Sequence, residues 1–160
     1  RAGHRGVLAG VALQRSLERA ACEAGGGQLR APATRVSDFL ARRGSSTLPK
    51  TSYLPGLNAT DVGAVLDASG IDLRSRLQRA LTAFDRRLRG YVTEEAVMVG
   101  VESRTSSPVR VIRDPNTLQA PGFAGLFPSG EGAGYAGGIM SAAMDGARVA
   151  QAILASRAAS

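Results

Sequence analysis

Apolar residues recur every three or four positions along most of the first half of the chain, a spacing that predicts helices with one buried face. The predicted helices cover residues 7–24, 36–43, 61–68 and 71–89. Three consecutive glycines at 25–27 predict the end of the first helix, because glycine readily adopts the backbone conformation that closes a helix. Arginines fill the remaining faces of 71–89, so the first half is predicted to be helical and basic.

The pattern changes after Gly90, where short apolar runs replace the helical spacing. Strands are predicted at 97–101, 109–112 and 126–127. A glycine-rich loop follows the last of them, and a helix of small residues is predicted over 139–157. The chain therefore divides into a helical part, 1–90, and a part in which strands and helices mix, 91–160. The predicted fold class is α/β, or α+β within this chain alone.

Composition limits the classes of function. With 160 residues, 44% of them hydrophobic, the chain can bury one core of ordinary size. Its net charge of +7 would suit a nucleic-acid or membrane-surface partner. The arginines are scattered, however, so nucleic-acid binding is disfavoured, and no apolar run approaches the roughly 18 residues of a membrane span. One histidine and one cysteine leave no metal site, and Cys22 is predicted to be a small core residue.

The segment from Gly130 to Gly138 reads GEGAGYAGG and lies between an apolar run and the last predicted helix. Glycine lets backbone N–H groups approach a ligand closely. A helix that begins just beyond adds unpaired N–H groups and the positive end of its dipole, a combination that suits a phosphate or an electron-rich ring edge. Glu131 would accept hydrogen bonds from sugar or polyol hydroxyls. Close packing of the helix on a strand is the alternative explanation of the glycines, and Met140 and Met144 are predicted to be core residues.

Two longer runs carry a specific resemblance. The run GLFPSGEGAGYAGGIMSAAMDG, which begins at Gly125, resembles the C-terminal signature of a bacterial and plastid family of FAD-dependent dehydrogenases. That family is related to the flavoproteins with two dinucleotide-binding domains. The run VESRTSSPVRVIRD, which begins at Val101, resembles a second signature, and weaker matches extend the resemblance upstream to His4. Thr34 stands where the family usually has glutamine, and Ser129 stands where it usually has cysteine or alanine. Neither difference changes the glycine pattern.

The resemblance implies a fold and a cofactor. Residues 91–160 would be the C-terminal part of a Rossmann-like FAD-binding domain, and residues 1–90 the distal part of an inserted, mainly helical substrate or cap domain. The strand–GxGxxG–helix unit that holds the ADP half of FAD is not found in residues 1–60. The chain is therefore expected to be a truncated product or a gene fragment that supplies the flavin end of the site.

The resemblance also implies site residues. Those expected to bind the cofactor are Gly130, Glu131, Gly132, Gly134, Tyr135, Gly137, Gly138 and Ile139. The backbone N–H groups of the last three would face the flavin pyrimidine edge, and Glu131 would bind ribityl hydroxyls. The residues expected to reach toward flavin or substrate are Arg104, Thr105, Ser106, Ser107 and Arg110. An ordinary surface loop, in which Arg110 pairs with Asp114, is the alternative for this second set, and no catalytic residue is identified.

The implied activity is that of an FAD-dependent oxidoreductase acting on a small-molecule substrate, with a nicotinamide or another electron donor as a candidate partner. Its expected location is the cytoplasm, or the plastid in a photosynthetic eukaryote. Two alternatives stay open. One is a non-catalytic remnant of a flavoprotein fold. The other is a basic nucleic-acid-associated module, in which the glycine loop contacts phosphate and Arg74, Arg79 and Arg86 carry the binding.

Overall fold

The structure is a computed structural model that describes residues 5–104 and 106–158. The chain divides into two compact units. The first unit contains Ala12–Ser103, and the second contains Gly6–Val11 together with residues 104–158. The units divide after Ser103, whereas the sequence pattern changes after Gly90, because a strand beyond Gly90 pairs with a strand of the helical part. The assignment of 1–90 and 91–160 to an inserted domain and an FAD-binding domain stays a prediction.

Helices form at every place where the apolar spacing predicts one. They are α1 Ala9–Gly25, α2 Val36–Leu40, α3 Val62–Asp67, α4 Leu73–Arg87 and α5 Ile139–Ala158. The strands are β1 Ala31–Arg35, β2 Leu57–Ala59 and β3 Val97–Val99. As predicted, α1 ends at the glycine run, in which Gly26 and Gly27 have φ values of 76° and 78°. None of the helices in the described part is both long and apolar enough to cross a membrane.

The first unit is built on a three-stranded sheet in the order β2-β1-β3. The central strand pairs parallel with β2, where Ala33 opposes Ala59, and antiparallel with β3, where Ala33 opposes Val99. The core consists of Val36 and Phe39 of α2, Leu66 of α3 and Leu81 of α4. This arrangement is mixed α and β, and a Rossmann-like domain stays a prediction.

Cys22 is exposed, so the prediction that it is a core residue is wrong. The buried residues of α1 are Leu17, Ala21 and Gly25, which follow one another at four-residue spacing and so share one face. Cys22 lies one position beyond Ala21, a rotation of about 100° around the helix, and therefore points away from that face.

The predicted strands at 109–112 and 126–127 do not form within the described residues. The N–H of Val111 donates to the carbonyl of Ala133 in the glycine loop, and the carbonyl of Leu126 accepts a hydrogen bond from a preceding turn. Because these backbone groups pair with loops and not with a neighbouring extended segment, both runs lack the ladder that defines a strand.

Most of α5 is exposed to solvent, and its only buried residue is Val149. Met140 and Met144 are 72% and 69% exposed, so the prediction that they are core residues is wrong. Ile139, at the start of the helix, is 90% exposed. Within its own unit, therefore, the helix buries little of its surface.

Candidate functional site

Two glycines of the loop between Gly130 and Gly138 are required by the loop's own conformation. Gly130 and Gly134 have φ values of 69° and 81°, in the left-handed region that favours glycine. A Cβ at Gly134 would also lie 2.5 Å from the carbonyl oxygen of Val109. The N–H of Tyr135 donates to the carbonyl of Gly130, which closes the turn between these two glycines.

The other three glycines of the loop, Gly132, Gly137 and Gly138, have no such requirement. None has a φ in the left-handed region. A Cβ at Gly132 would meet nothing within 4 Å, and at Gly137 and Gly138 it would meet only a serine Oγ, at 3.8 and 3.9 Å, which is ordinary contact. Neither backbone conformation nor packing among the described residues explains why glycine stands at these positions. A side chain there would instead fill space directly above the backbone.

The loop leads into the N-terminus of α5, whose first helical hydrogen bond runs from the N–H of Ala142 to the carbonyl of Gly138. The Oγ of Ser141 accepts from the N–H of Gly137 at 3.3 Å and donates to the carbonyl of Gly138 at 2.9 Å. The N–H groups of Gly138 and Ile139 have no hydrogen-bond partner within the described part of the chain. These donors, with the positive end of the helix dipole, can bind an electron-rich ligand edge.

A buried ion pair between Arg113 and Asp145 holds the loop. The two guanidinium nitrogens Nη2 and Nη1 donate to Oδ1 and Oδ2 of Asp145 at 2.6 and 2.9 Å, a bidentate geometry. The side chains are only 5% and 10% exposed. Nη1 of Arg113 also donates to the carbonyl of Pro128, and Oδ2 of Asp145 accepts from the N–H of Gly130. One ion pair thus connects α5, the segment at 113 and the beginning of the glycine loop.

The hydrogen bonds from Arg113 lower the pKa of Asp145 to about 2, against a smaller opposing effect of burial. The N–H of Gly130 and the positive charge of Arg113 act in the same direction. The same hydrogen bonds raise the pKa of Arg113. Both partners are therefore charged at neutral pH.

Tyr135 belongs to the same cluster. Its ring lies under the guanidinium of Arg113, 3.6 Å from ring centroid to Cζ, and its hydroxyl donates to the carbonyl of Val111 at 3.0 Å. Arg110 approaches the ring at 5.0 Å and donates from Nε to the carbonyl of Gly134 at 2.9 Å. In the structure Tyr135 packs against these two arginines, and its expected contact with a flavin stays a prediction.

Glu131 is half-buried in the loop, and its carboxylate has no partner within the described ranges 5–104 and 106–158. Ser107 donates from its Oγ to the carbonyl of Val109 at 2.8 Å. Arg104 and Ser106 belong to the second unit, and the predicted residue Thr105 lies outside the described residues, as does His4.

The surface pair between Arg110 and Asp114 that was considered for this loop is not formed. Arg110 bonds to the carbonyl of Gly134, whereas Oδ1 of Asp114 accepts from the N–H groups of Asn116 and Thr117 at 2.9 and 2.7 Å. These backbone hydrogen bonds lower the pKa of Asp114. A short acidic side chain followed by a proline stabilises its own turn more readily than it reaches an arginine four residues back.

Arg113 and Asp145 are the residues that sequence reasoning missed. They are separated by 32 positions, so no local pattern connects them. One signal was available: Asp145 is the only acidic residue in α5, and an isolated carboxylate among small apolar residues requires a cation or several donors when it is buried.

Comparison with known proteins identifies the family of the first part of the chain. A family model described as "FAD-dependent protein, C-terminal domain-like" matches residues 1–105. An uncharacterized protein of Clostridium beijerinckii is 39% identical over 149 residues, which are 92% of this chain and 27% of that protein. The chain therefore spans about a quarter of the length of this relative. Since the family model covers well over half of the chain, this protein belongs to the family described as "FAD-dependent protein, C-terminal domain-like".

Proposed function

We propose that this chain supplies the flavin end of the FAD site in an oxidoreductase of the dehydrogenase type. The observation that carries the proposal is the group of three loop glycines, Gly132, Gly137 and Gly138, that neither conformation nor packing requires. The family match stops at residue 105, before the loop, so it supports an association with FAD but says nothing of these glycines.

The donors at the start of α5 fit a flavin. The pyrimidine edge of the ring system carries acceptor atoms and gains negative charge on reduction, and the unpaired N–H groups of Gly138 and Ile139 can donate to it. A side chain at Gly137 or Gly138 would stand between these donors and a flat ring. Bound FAD would supply the electron-transfer chemistry, and the chain would orient and stabilise it.

The remaining residues have distinct parts in the proposal. Glu131 has a carboxylate free to accept hydrogen bonds from ribityl hydroxyls. Arg113 and Asp145 position the loop relative to the N-terminus of α5 and do not contact the cofactor. Arg110 is already bonded to the loop carbonyl of Gly134, so we assign it to holding the loop.

The proposal includes a Rossmann-like domain completed by other parts of a longer protein. The relative from Clostridium beijerinckii has such additional length, since the aligned region is 27% of it. We assign the ADP half of FAD to a strand–GxGxxG–helix unit outside this chain. The small-molecule substrate and the electron donor, whether a nicotinamide or another reductant, would then be bound by the complete enzyme.

The test is the visible absorption of the purified natural-length protein and of its Gly138→Val variant. A Cβ at 138 would lie 3.9 Å from the Oγ of Ser141, an ordinary contact, so the variant should fold with an unchanged circular-dichroism melting curve. We expect its FAD binding to weaken by about tenfold or more, because the side chain blocks the backbone donors. The matched control is Ala150→Val, an exposed position farther along α5, which should keep its flavin.

Two results would contradict the proposal. A natural-length protein that is colourless and does not take up added FAD would favour the non-catalytic remnant. A Gly138→Val variant that keeps its full flavin content would show that the loop glycines do not face the cofactor.

A further inference from the structure

A groove on the first unit is lined by three arginines. It runs along α4 beside the residues that follow α2 and encloses about 490 Å³. The residues that determine its chemistry are Arg42, Gln78, Arg79, Thr82, Ala83 and Arg86. A volume of this size is in the range of small-ligand sites.

The groove is shaped by a side chain of α4 that caps α2. The amide nitrogen of Gln78 donates to the carbonyls of Phe39 and Leu40, the last of α2, at 2.8 and 3.3 Å. Its amide oxygen accepts from Nη1 of Arg42 at 3.4 Å. Arg42 has a φ of 58°, the left-handed conformation found just after helix ends. Through these contacts Arg42 forms one wall of the groove, and α4 forms the other.

The opposite wall is a single face of α4. Arg79, Thr82, Ala83 and Arg86 are separated by three, four and seven positions, so their side chains emerge on the same side of the helix. The two arginines are about 10 Å apart along the helix axis. The short side chains of Thr82 and Ala83 leave open space between them.

None of the described residues that line the groove carries a carboxylate. Within the described part of the chain, Arg42, Arg79 and Arg86 form no ion pair, whereas Arg43 and Arg74 pair with aspartates. The hydrogen bond from Ser75 lowers the pKa of Asp72, and the charge of Arg79 lowers it further. Asp72 caps α4 and does not line the groove. Three like charges thus face one cavity without a counter-charge in its wall, and their mutual repulsion is relieved when an anion enters.

We propose that this groove binds a small polyanion with at least two phosphate groups. The planar donor fork of arginine matches phosphate oxygens, and arginines two turns apart can hold two such groups. All residues of this groove belong to the first unit, and none of them has a part in the flavin proposal.

The groove favours a small ligand over a nucleic acid. Arg74, which the nucleic-acid alternative requires, is buried in ion pairs with Asp61 and Asp67 and is not available to a phosphate backbone. The groove also has no aromatic side chain in its wall on which a base could stack.

The experiment is a calorimetric titration of inorganic pyrophosphate into the protein at constant ionic strength. We compare the wild type with the double variant Arg79→Gln/Arg86→Gln and with Arg76→Gln/Arg89→Gln, which removes the same charge from exposed positions outside the groove. We expect saturable binding at one site, weakened by about tenfold or more in the first variant and by less than about twofold in the control. Arg42→Gln, on a different segment, should weaken binding in the same way.

Three results would overturn the proposal. Binding that does not saturate, or an equal loss in the groove and control variants, would mean only diffuse attraction to a basic surface. Single-stranded RNA that binds more tightly than pyrophosphate through the same arginines would mean a nucleic-acid site.

Far-UV circular dichroism checks that each variant keeps its helices. Loss of pyrophosphate binding without loss of flavin absorption separates this proposal from the flavin proposal.

Discussion

Among the described residues, each unit contains one arginine whose side chain is buried in an ion pair, and the two arginines do different things. Arg74 joins α4 to α3 through Asp61 and Asp67, and its side chain lies against Gly63. Its acidic partners are 29% and 47% exposed. Arg113 is paired with Asp145, which is only 10% exposed and also accepts from loop backbone.

The comparison shows how the partners of a buried arginine indicate its role. Both partners of Arg74 are side chains at or near the ends of one helix, so this cluster stabilises the packing of two helices. Arg113 and Asp145 each bind backbone groups of the segment 128–130, so the same chemistry determines where the glycine loop begins. An ion pair that satisfies loop backbone groups positions a site, and one between helices stabilises a core.

The largest effect is expected for Arg113→Met in the natural-length protein. The variant leaves the Asp145 carboxylate buried without its partner, which should cost roughly 3 kcal/mol in the free energy of unfolding. The loop should lose its position and FAD binding should fall with it. Urea unfolding and visible absorption measure the two effects. Arg113→Lys keeps the charge but not the bidentate geometry, so it should lose less, and an unchanged stability in Arg113→Met would contradict the assigned role.

A somewhat smaller effect is expected from pH. The pKa of Asp145 is lowered from its ordinary 3.8 to about 2, so its stabilisation is complete above pH 4 and is lost as the pH falls toward 2. A shift of this size corresponds to about 2 kcal/mol. Urea unfolding of the wild type and of Asp145→Asn across this window isolates the contribution from those of other aspartates. If both proteins lose stability equally, Asp145 is not the group responsible.

The smallest effect is expected for Arg74→Met. Its aspartate partners are partly exposed and can be hydrated when the arginine is removed, so the loss should be about 1–2 kcal/mol. FAD binding by the folded natural-length protein should stay within about twofold of the wild type, because this pair holds only helices. A loss of flavin as large as that of Arg113→Met would break the distinction between the two arginines.

The helices were predictable from the sequence for a local reason. Apolar residues three and four positions apart share a helix face, and glycines after the last of them close the helix. That information lies within each segment, as in α4, where the observed helix Leu73–Arg87 lies within the predicted range 71–89. The position of the glycine loop before a helix was also predictable, because the glycine run and the helical spacing are both local patterns.

The sheet was less predictable because its partners are distant in the chain. The central strand Ala31–Arg35 contains a proline and few residues that favour strands, and it is extended because β2 and β3 pair with it on both sides. Conversely, 109–112 has the composition of a strand but pairs with the glycine loop. Strand formation depends on neighbours that a local pattern does not contain.

By itself, the sequence determined where the helices lie, the place of the glycine loop and the resemblance that pointed to FAD. Only the tertiary structure decided which glycines the loop needs, since φ at Gly134 and the open space at Gly138 depend on how the chain folds back. It also decided that Arg113 meets Asp145 and that Arg74 is buried. The reason is physical: periodicity is a property of neighbours in the chain, whereas charge pairing and free space are properties of groups that folding brings together.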